Sequence, residues 1–203
     1  MLHFYIKFYL LKIKIQINKL GFLKTNGPDN YIKKWERLEK LCVYFNNELD
    51  FIETGTYYGL TVDQFKYKVK NLYSIELDNG LYDFNSFRFK KYLNIHLILG
   101  NSAVELPKLL AKQNLNPNCI FWLDGHYSSK ETAIADKVSP ILDELKSIFL
   151  LFKRDSNHWI ILIDDLRLFD GIEYPLVTEV QKIANDFNFN ITFDSDCIVL
   201  NSK

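Results

Sequence analysis

Phe51-Ile-Glu-Thr-Gly-Thr-Tyr-Tyr-Gly59 passes from an apolar run through an acid, Glu53, into a turn marked by Gly55 and Gly59, and an amphipathic segment follows at once. A strand that ends in a glycine-bearing turn and enters a helix presents free backbone N–H groups to a ligand. Glycine serves there because the chain needs positive φ or because a ligand must come close to bare backbone. The same pattern also serves a plain strand-to-helix turn, so the rest of the chain has to decide.

From Leu49 onward strands and helices alternate without a break. Short apolar runs read as strands at Leu49–Thr54, Leu72–Leu77, Ile95–Leu99, Cys119–Leu123 and Trp159–Ile163, and amphipathic stretches read as helices at Leu60–Lys70, Leu81–Tyr92, Ala103–Gln113, Pro140–Phe152 and Tyr174–Phe187. Such alternation predicts a parallel sheet buried on both faces. The end departs from this pattern. Asn190–Phe193 and Cys197–Leu200 are separated only by Asp194-Ser-Asp196, which forces a hairpin and one antiparallel strand. The expected fold is α/β, a Rossmann-like three-layer sandwich with a mostly parallel sheet closing in an antiparallel hairpin. The expected domains are an extension with an amphipathic helix over residues 1–47 and the sandwich over 48–203.

The 203 residues are 48% hydrophobic and 25% charged, ordinary for a globular chain, and 25 basic residues balance 25 acidic ones. No global field draws the protein to nucleic acid, and no nucleic-acid partner is expected. Cys42, Cys119 and Cys197 are widely spaced in apolar surroundings and read as reduced core residues, which points to a cytoplasmic protein. Residues 2–17 are apolar but broken by Lys7, Lys12 and Lys14, too charged to span a membrane. Residues 11–17 alternate with period two, while the first ten fit an amphipathic helix. This segment either packs on the domain or a partner, or touches a membrane peripherally. Asn26-Gly-Pro-Asp29 reads as a turn and helix start, capped by Asp29 or Asn30. Tyr31, Ile32, Trp35, Leu38, Leu41, Cys42 and Phe45 then form an apolar helical face, with Lys33, Lys34, Glu36 and Lys40 on the other.

In an open α/β sheet the ligand lies beyond the carboxyl ends of the strands. The first strand ends in Glu53 and its glycine loop. The second ends in Glu76-Leu-Asp78, at the distance from the glycines where an acid accepts hydrogen bonds from ribose hydroxyls. The third ends in Asn101 and Ser102; the Asn amide can read an adenine edge, and Ser102 reads as a helix cap. The fourth ends in Trp122-Leu-Asp-Gly-His-Tyr-Ser128 and the fifth in Asp164-Asp165. Neighbouring strands lie about 4.8 Å apart, so Asp124, Asp164 and Asp165 are expected to converge. Three carboxylates need a cation: Mg²⁺, a charge on the ligand, or Arg167. His126 is the one histidine at this edge and is a candidate general base, with Asp124 beside it and Tyr127 as a substrate contact.

These segments together, from Leu49 to Leu200, resemble class I S-adenosylmethionine-dependent methyltransferases, and most closely a bacterial branch carrying a Trp-Leu-Asp-Gly-His-Tyr segment. The resemblance implies a seven-stranded sheet. It also implies that Glu53, Gly55, Gly59 and the Thr56–Tyr57 backbone hold the methionine part of the cofactor, that Glu76 and Leu77 hold the ribose, and that Asn101 and Ser102 hold the adenine. The family usually has Asp where Asn101 stands; Asn keeps the acceptor and loses the charge. Asp124, Asp164 and Asp165 resemble the ligands of Mg²⁺-dependent O-methyltransferases, which implies Mg²⁺ and a small or glycan-type hydroxyl acceptor. Two other functions fit parts of the pattern. An NAD-dependent oxidoreductase suits the acid after the second strand but lacks GxGxxG. A non-catalytic nucleoside-binding scaffold would use the extension for docking.

Overall fold

The computed structural model describes residues 1–19, 31–112, 114–124, 139–152, 156–172 and 174–202. Two helices, α1 (Leu2–Lys19) and α2 (Tyr31–Tyr44), precede β1 (Asp50–Thr54). Then follow α3 (Leu60–Phe65), β2 (Asn71–Glu76), α4 (Asn79–Phe89), β3 (Ile95–Leu99), α5 (Ser102–Lys112), β4 (Asn118–Leu123), α6 (Ile141–Leu151) and β5 (His158–Ile163). A 3-10 turn at Leu166–Leu168 leads through α7 (Val177–Asp186) to β6 (Phe189–Asp194) and β7 (Cys197–Ser202). The seven strands form one sheet in the order β3-β2-β1-β4-β5-β7-β6. Pairings among β1 to β5 are parallel, and β7 runs antiparallel to both β5 and β6. The expected α/β sandwich with its closing hairpin is what forms.

Alternate residues of each strand face opposite layers, which is why the runs are apolar throughout. Ile52, Ile75, Phe121, Ile161 and Ile163 pack with Leu106, Leu145 and Val180 of α5, α6 and α7. Phe51, Leu72, Ile120, Trp122 and Leu162 pack on the other side with Trp35 and Leu38 of α2, Phe65 of α3 and Phe84 of α4. The core therefore continues across residue 47, and α2 belongs to the second helical layer. All three cysteines are buried and unpaired.

Two elements differ from expectation. The helix expected over Leu60–Lys70 ends at Phe65, where Asn94 Nδ2 donates to the carbonyl oxygens of Lys66 at 2.9 Å and Val69 at 3.4 Å. Residues 11–17 belong to the single helix α1 despite their period-two pattern. Helical winding buries Phe8 and Ile15 against the α4 layer, a gain that no lone strand would have. Leu2, Ile6, Tyr9, Leu10 and Ile13 form an exposed stripe opposite, the face available for the membrane or partner contact expected of residues 2–17. No helix among the described residues is long and apolar enough to cross a membrane.

Candidate functional site

Parallel pairing sets Glu53 of β1 opposite Ser74 of β2. The Ser74 hydroxyl donates to Glu53 Oε2 at 2.5 Å and lies 2.6 Å from Thr56 Oγ1, so a buried polar chain runs Thr56–Ser74–Glu53. Glu53 is 2% exposed. Burial pushes its carboxyl up to about 8; the Ser74 and Thr61 hydroxyls oppose that rise, and the Glu76 charge adds to it. Burial also raises the Glu76 carboxyl, against backbone N–H groups that favour its ionised form: Tyr57 donates to Oε2 at 2.7 Å and Asp78 to Oε1 at 2.8 Å. Among the described residues, neither carboxyl accepts a hydrogen bond from a cation.

The loop between them turns back on itself. Gly55, with φ 87°, and Thr56 both donate their N–H to the Ile75 carbonyl, at 2.9 and 3.3 Å. Tyr57 adopts φ 50°, a costly conformation for a non-glycine residue. The Thr56–Tyr57 N–H groups expected to face a ligand are thus engaged by the chain itself. At Gly59 the reason for glycine is packing as well as conformation: φ is 66°, and a Cβ would stand 2.3 Å from Asn85 Oδ1 of α4. Leu77 is exposed beside Glu76. Asn101, not Ser102, caps α5, its Oδ1 accepting from the Ala103 N–H at 2.9 Å. Ser102 is buried.

At the other end of the edge, β4 and β5 are adjacent, as expected. Asp124 donates its N–H to the Thr54 carbonyl and Asp164 donates to that of Leu123, at 3.1 and 3.0 Å, which sets the two acids on neighbouring strand ends. Burial raises the Asp124 carboxyl well above the ordinary range, and the charges of Asp164, Asp165 and Glu53 push it further. The carboxylates of Asp164 and Asp165 do converge, but the third acid within 4.8 Å is Asp196. Asp196 comes from the hairpin turn, where Ser195 and Asp196 at φ 53° and 64° make the tight reversal into β7. An antiparallel strand begins where its parallel neighbours end, so this turn sits at the site. The sequence reading treated it as a spacer.

The cation among these acids is Lys34. Its Nζ donates to Asp164 Oδ1 and lies 3.9 Å from Asp165 Oδ1 and 3.8 Å from Asp196 Oδ2, with the side chain 4% exposed. Burial would lower the ammonium pKa, but the Asp164 charge and hydrogen bond outweigh it and raise the value. Lys34 was grouped with the solvent face of its helix. Yet positions 34, 38, 41 and 45 recur at helical spacing, and that register marks Lys34 as inward. Arg167, one of the three candidate cations, is also present: Nη1 donates to Asp165 Oδ1 at 2.7 Å and to Asp196. A second buried acid was missed entirely. Glu144 of α6 is fully buried, and burial pushes it up to about 7, while the nearby Ser102 and Thr54 hydroxyls ease it without reaching hydrogen-bond geometry. His126, Tyr127, Asp29 and Asn30 lie outside the described residues.

The acid set was expected to hold Mg²⁺; the oxygens of Asp164, Asp165 and Asp196 are near enough to one another to ligate an ion, but the Lys34 ammonium stands among them. Asp164 Oδ1 already accepts from Lys34, from the Asp165 N–H at 2.7 Å and from Cys197 Sγ at 3.6 Å. Unit charges 4 Å apart interact by about 4 kcal/mol at an effective dielectric constant of 20, so a divalent ion would have to displace the ammonium from Asp164 and not sit beside it.

No protein-family model matches the sequence, and a comparison with curated proteins finds no match. Solved structures do match. A Staphylococcus aureus protein assigned provisionally as a caffeoyl-CoA O-methyltransferase aligns over 97% of this chain and 91% of its own, with TM-score 0.55 and 14% identity. The S-adenosylhomocysteine-bound methyltransferase PaMTH1 of Podospora anserina aligns over 80% and 76%, with TM-score 0.54 and 13% identity. The fibrillarin pre-rRNA processing protein of Methanococcus jannaschii aligns over 76% of this chain, which spans 66% of that protein, with TM-score 0.53 and 15% identity. The chain has the Rossmann-like methyltransferase fold.

Proposed function

We propose that the protein is an S-adenosylmethionine-dependent methyltransferase acting on a small or sugar-like hydroxyl acceptor. One observation carries this reading. Glu53 and Glu76 are buried carboxyls at the ends of β1 and β2 with neutral hydrogen-bond donors and, among the described residues, no cation hydrogen-bonded to either. Burying a carboxylate without a positive partner is unfavourable, and a ligand that brings positive charge removes the penalty. S-adenosylmethionine brings an ammonium and a sulfonium against a single carboxylate, a net positive charge. NAD brings only its nicotinamide ring cation, offset by the pyrophosphate, so it suits these acids less well.

Glu53 faces the methionine ammonium, Glu76 the ribose hydroxyls, and the Asn101 amide the adenine edge. The acceptor oxygen attacks the methyl carbon in line; the C–S bond breaks, its electrons stay on sulfur, and S-adenosylhomocysteine leaves. The acceptor proton passes to Asp124 or His126. Burial and neighbouring charges raise the Asp124 pKa, so its ionised form is a stronger base than a free carboxylate. The magnesium part of the expectation is not carried forward, because Lys34 holds that charge position.

Isothermal titration with S-adenosylmethionine and S-adenosylhomocysteine tests the proposal. Saturable binding at micromolar concentration is expected for both. Silence from both, with NADH fluorescence responding instead, would move the protein to the oxidoreductases.

A further inference from the structure

We propose that Lys34 is the built-in cation of the acceptor end of this site, so that the chemistry there runs without a divalent metal and α2 is a working part of the site. The inference rests on the methyl-transfer reading only for what the acceptor is. The cation assignment stands on geometry alone.

Among the described residues, the acids Asp164, Asp165 and Asp196 meet two cations, Lys34 and Arg167. Lys34 is the buried one and touches Asp164, the most buried of the three acids. Arg167 is more exposed and closes the outer side through Asp165 and Asp196. A hard divalent ion needs about six oxygen ligands near 2.1 Å. Here the inner carboxylate oxygens point at nitrogen donors, and the Nζ occupies the space between them.

The lysine is also held from outside the site. Trp35 and Leu38, its neighbours on α2, are buried in the core formed with Phe51 and Leu162, and Arg37 reaches Asp194 at the base of the hairpin turn, 2.5 Å away. The helix that precedes the sandwich therefore supplies the site with a charge and fixes the turn that carries Asp196. An ammonium in this place does one thing a metal would also do: it sets a positive centre against the buried Asp164 carboxylate at the acceptor end of the site. It does not chelate vicinal oxygens as a metal does, so the acceptor need not be a diol or catechol.

The test is a metal titration of the full chain, which needs neither cofactor nor acceptor. Mn²⁺ binding is followed by electron paramagnetic resonance for the natural protein, Asp164→Asn, Lys34→Ala, Lys34→Arg and Lys34→Ala/Asp164→Asn, with thermal unfolding of each with and without Mn²⁺. The natural protein and Lys34→Arg are expected to bind no Mn²⁺ at millimolar concentration. Lys34→Ala is expected to bind it at least roughly tenfold more tightly and to gain thermal stability from it, and the double variant should lose that binding. Sub-millimolar Mn²⁺ binding by the natural protein, abolished by Asp164→Asn, overturns the proposal. So does a folded Lys34→Ala that gains no metal. Should Lys34→Ala fail to fold, the titration of the natural protein decides by itself. Loss of S-adenosylmethionine binding in the titration described above would leave the metal result unchanged, so the two readings fail separately.

Discussion

Glu53 and Glu76, at the ends of β1 and β2, lean on the hydroxyl of Ser74 and the backbone N–H groups of Tyr57 and Asp78. Asp164, Asp165 and Asp196, at the ends of β5 and β7, lean on Lys34 and Arg167. Both groups are acids gathered at one sheet edge, yet one is left electrically unbalanced and the other is largely balanced within the fold. The first invites a positively charged ligand. The second holds its own cations, and it ties the helix before the sandwich to the hairpin that ends it.

The largest test of this contrast removes the internal cation. Lys34→Met strands Asp164 in a buried setting, and breaking such a pair costs about 3–5 kcal/mol, read as a lower urea midpoint. At the other end, Glu53→Gln removes the charge that, on the proposed reading, faces the methionine ammonium. S-adenosylmethionine affinity should fall by about 2–3 kcal/mol in calorimetry, while the unliganded protein stays folded.

The same variant has a pH signature. The folded Glu53 carboxyl holds its proton up to about 8 against an ordinary 4.5, and Glu144 holds its own to about 7. Between these values the unfolded chain binds fewer protons than the folded one, so stability falls as pH rises. Thermal unfolding of the unliganded protein should show a decline between pH 4.5 and 8, with Glu53→Gln flattening its upper part and Glu144→Gln the part below pH 7. A flat profile in the natural protein would mean that these acids are not buried unpaired.

Smaller effects mark the supports of each end. Gly59→Ala puts a Cβ against Asn85 at φ 66°, and strain of that kind costs about 1–3 kcal/mol of stability. Arg37→Ala breaks an ion pair with Asp194 that is 27% and 55% exposed on its two sides, and should cost under about 1 kcal/mol in the same urea experiment. A larger loss would show that the hairpin turn depends on α2 more than its exposure suggests.

Much of this was legible in the chain. Continuous apolar runs gave the buried strands, their alternation with amphipathic stretches gave a parallel sheet, and a gap too short for a crossover gave the hairpin. Position at strand ends then picked out Glu53, Glu76, Asn101, Asp124, Asp164 and Asp165. Ser74 escaped because it sits inside a strand, where one buried hydroxyl looks like any other small core residue. Glu144 escaped because an acid in the first turn of a helix is usually a solvated one. Asp196 escaped because its turn was read for geometry and not for location.

Local order along the chain determined the elements and the identity of the acids at the carboxyl edge, because hydrogen-bonding periodicity and turn chemistry are properties of neighbouring residues. Only the tertiary structure decided how those acids are neutralised. Lys34 and Asp164 are separated by 130 positions, and no periodicity links them. Their pairing exists because α2 packs its Trp35–Leu38 face on the sheet beside β5, while an antiparallel β7 returns its entrance to the same edge. Charge balance in a buried site depends on which distant segments meet there, and that is set by packing.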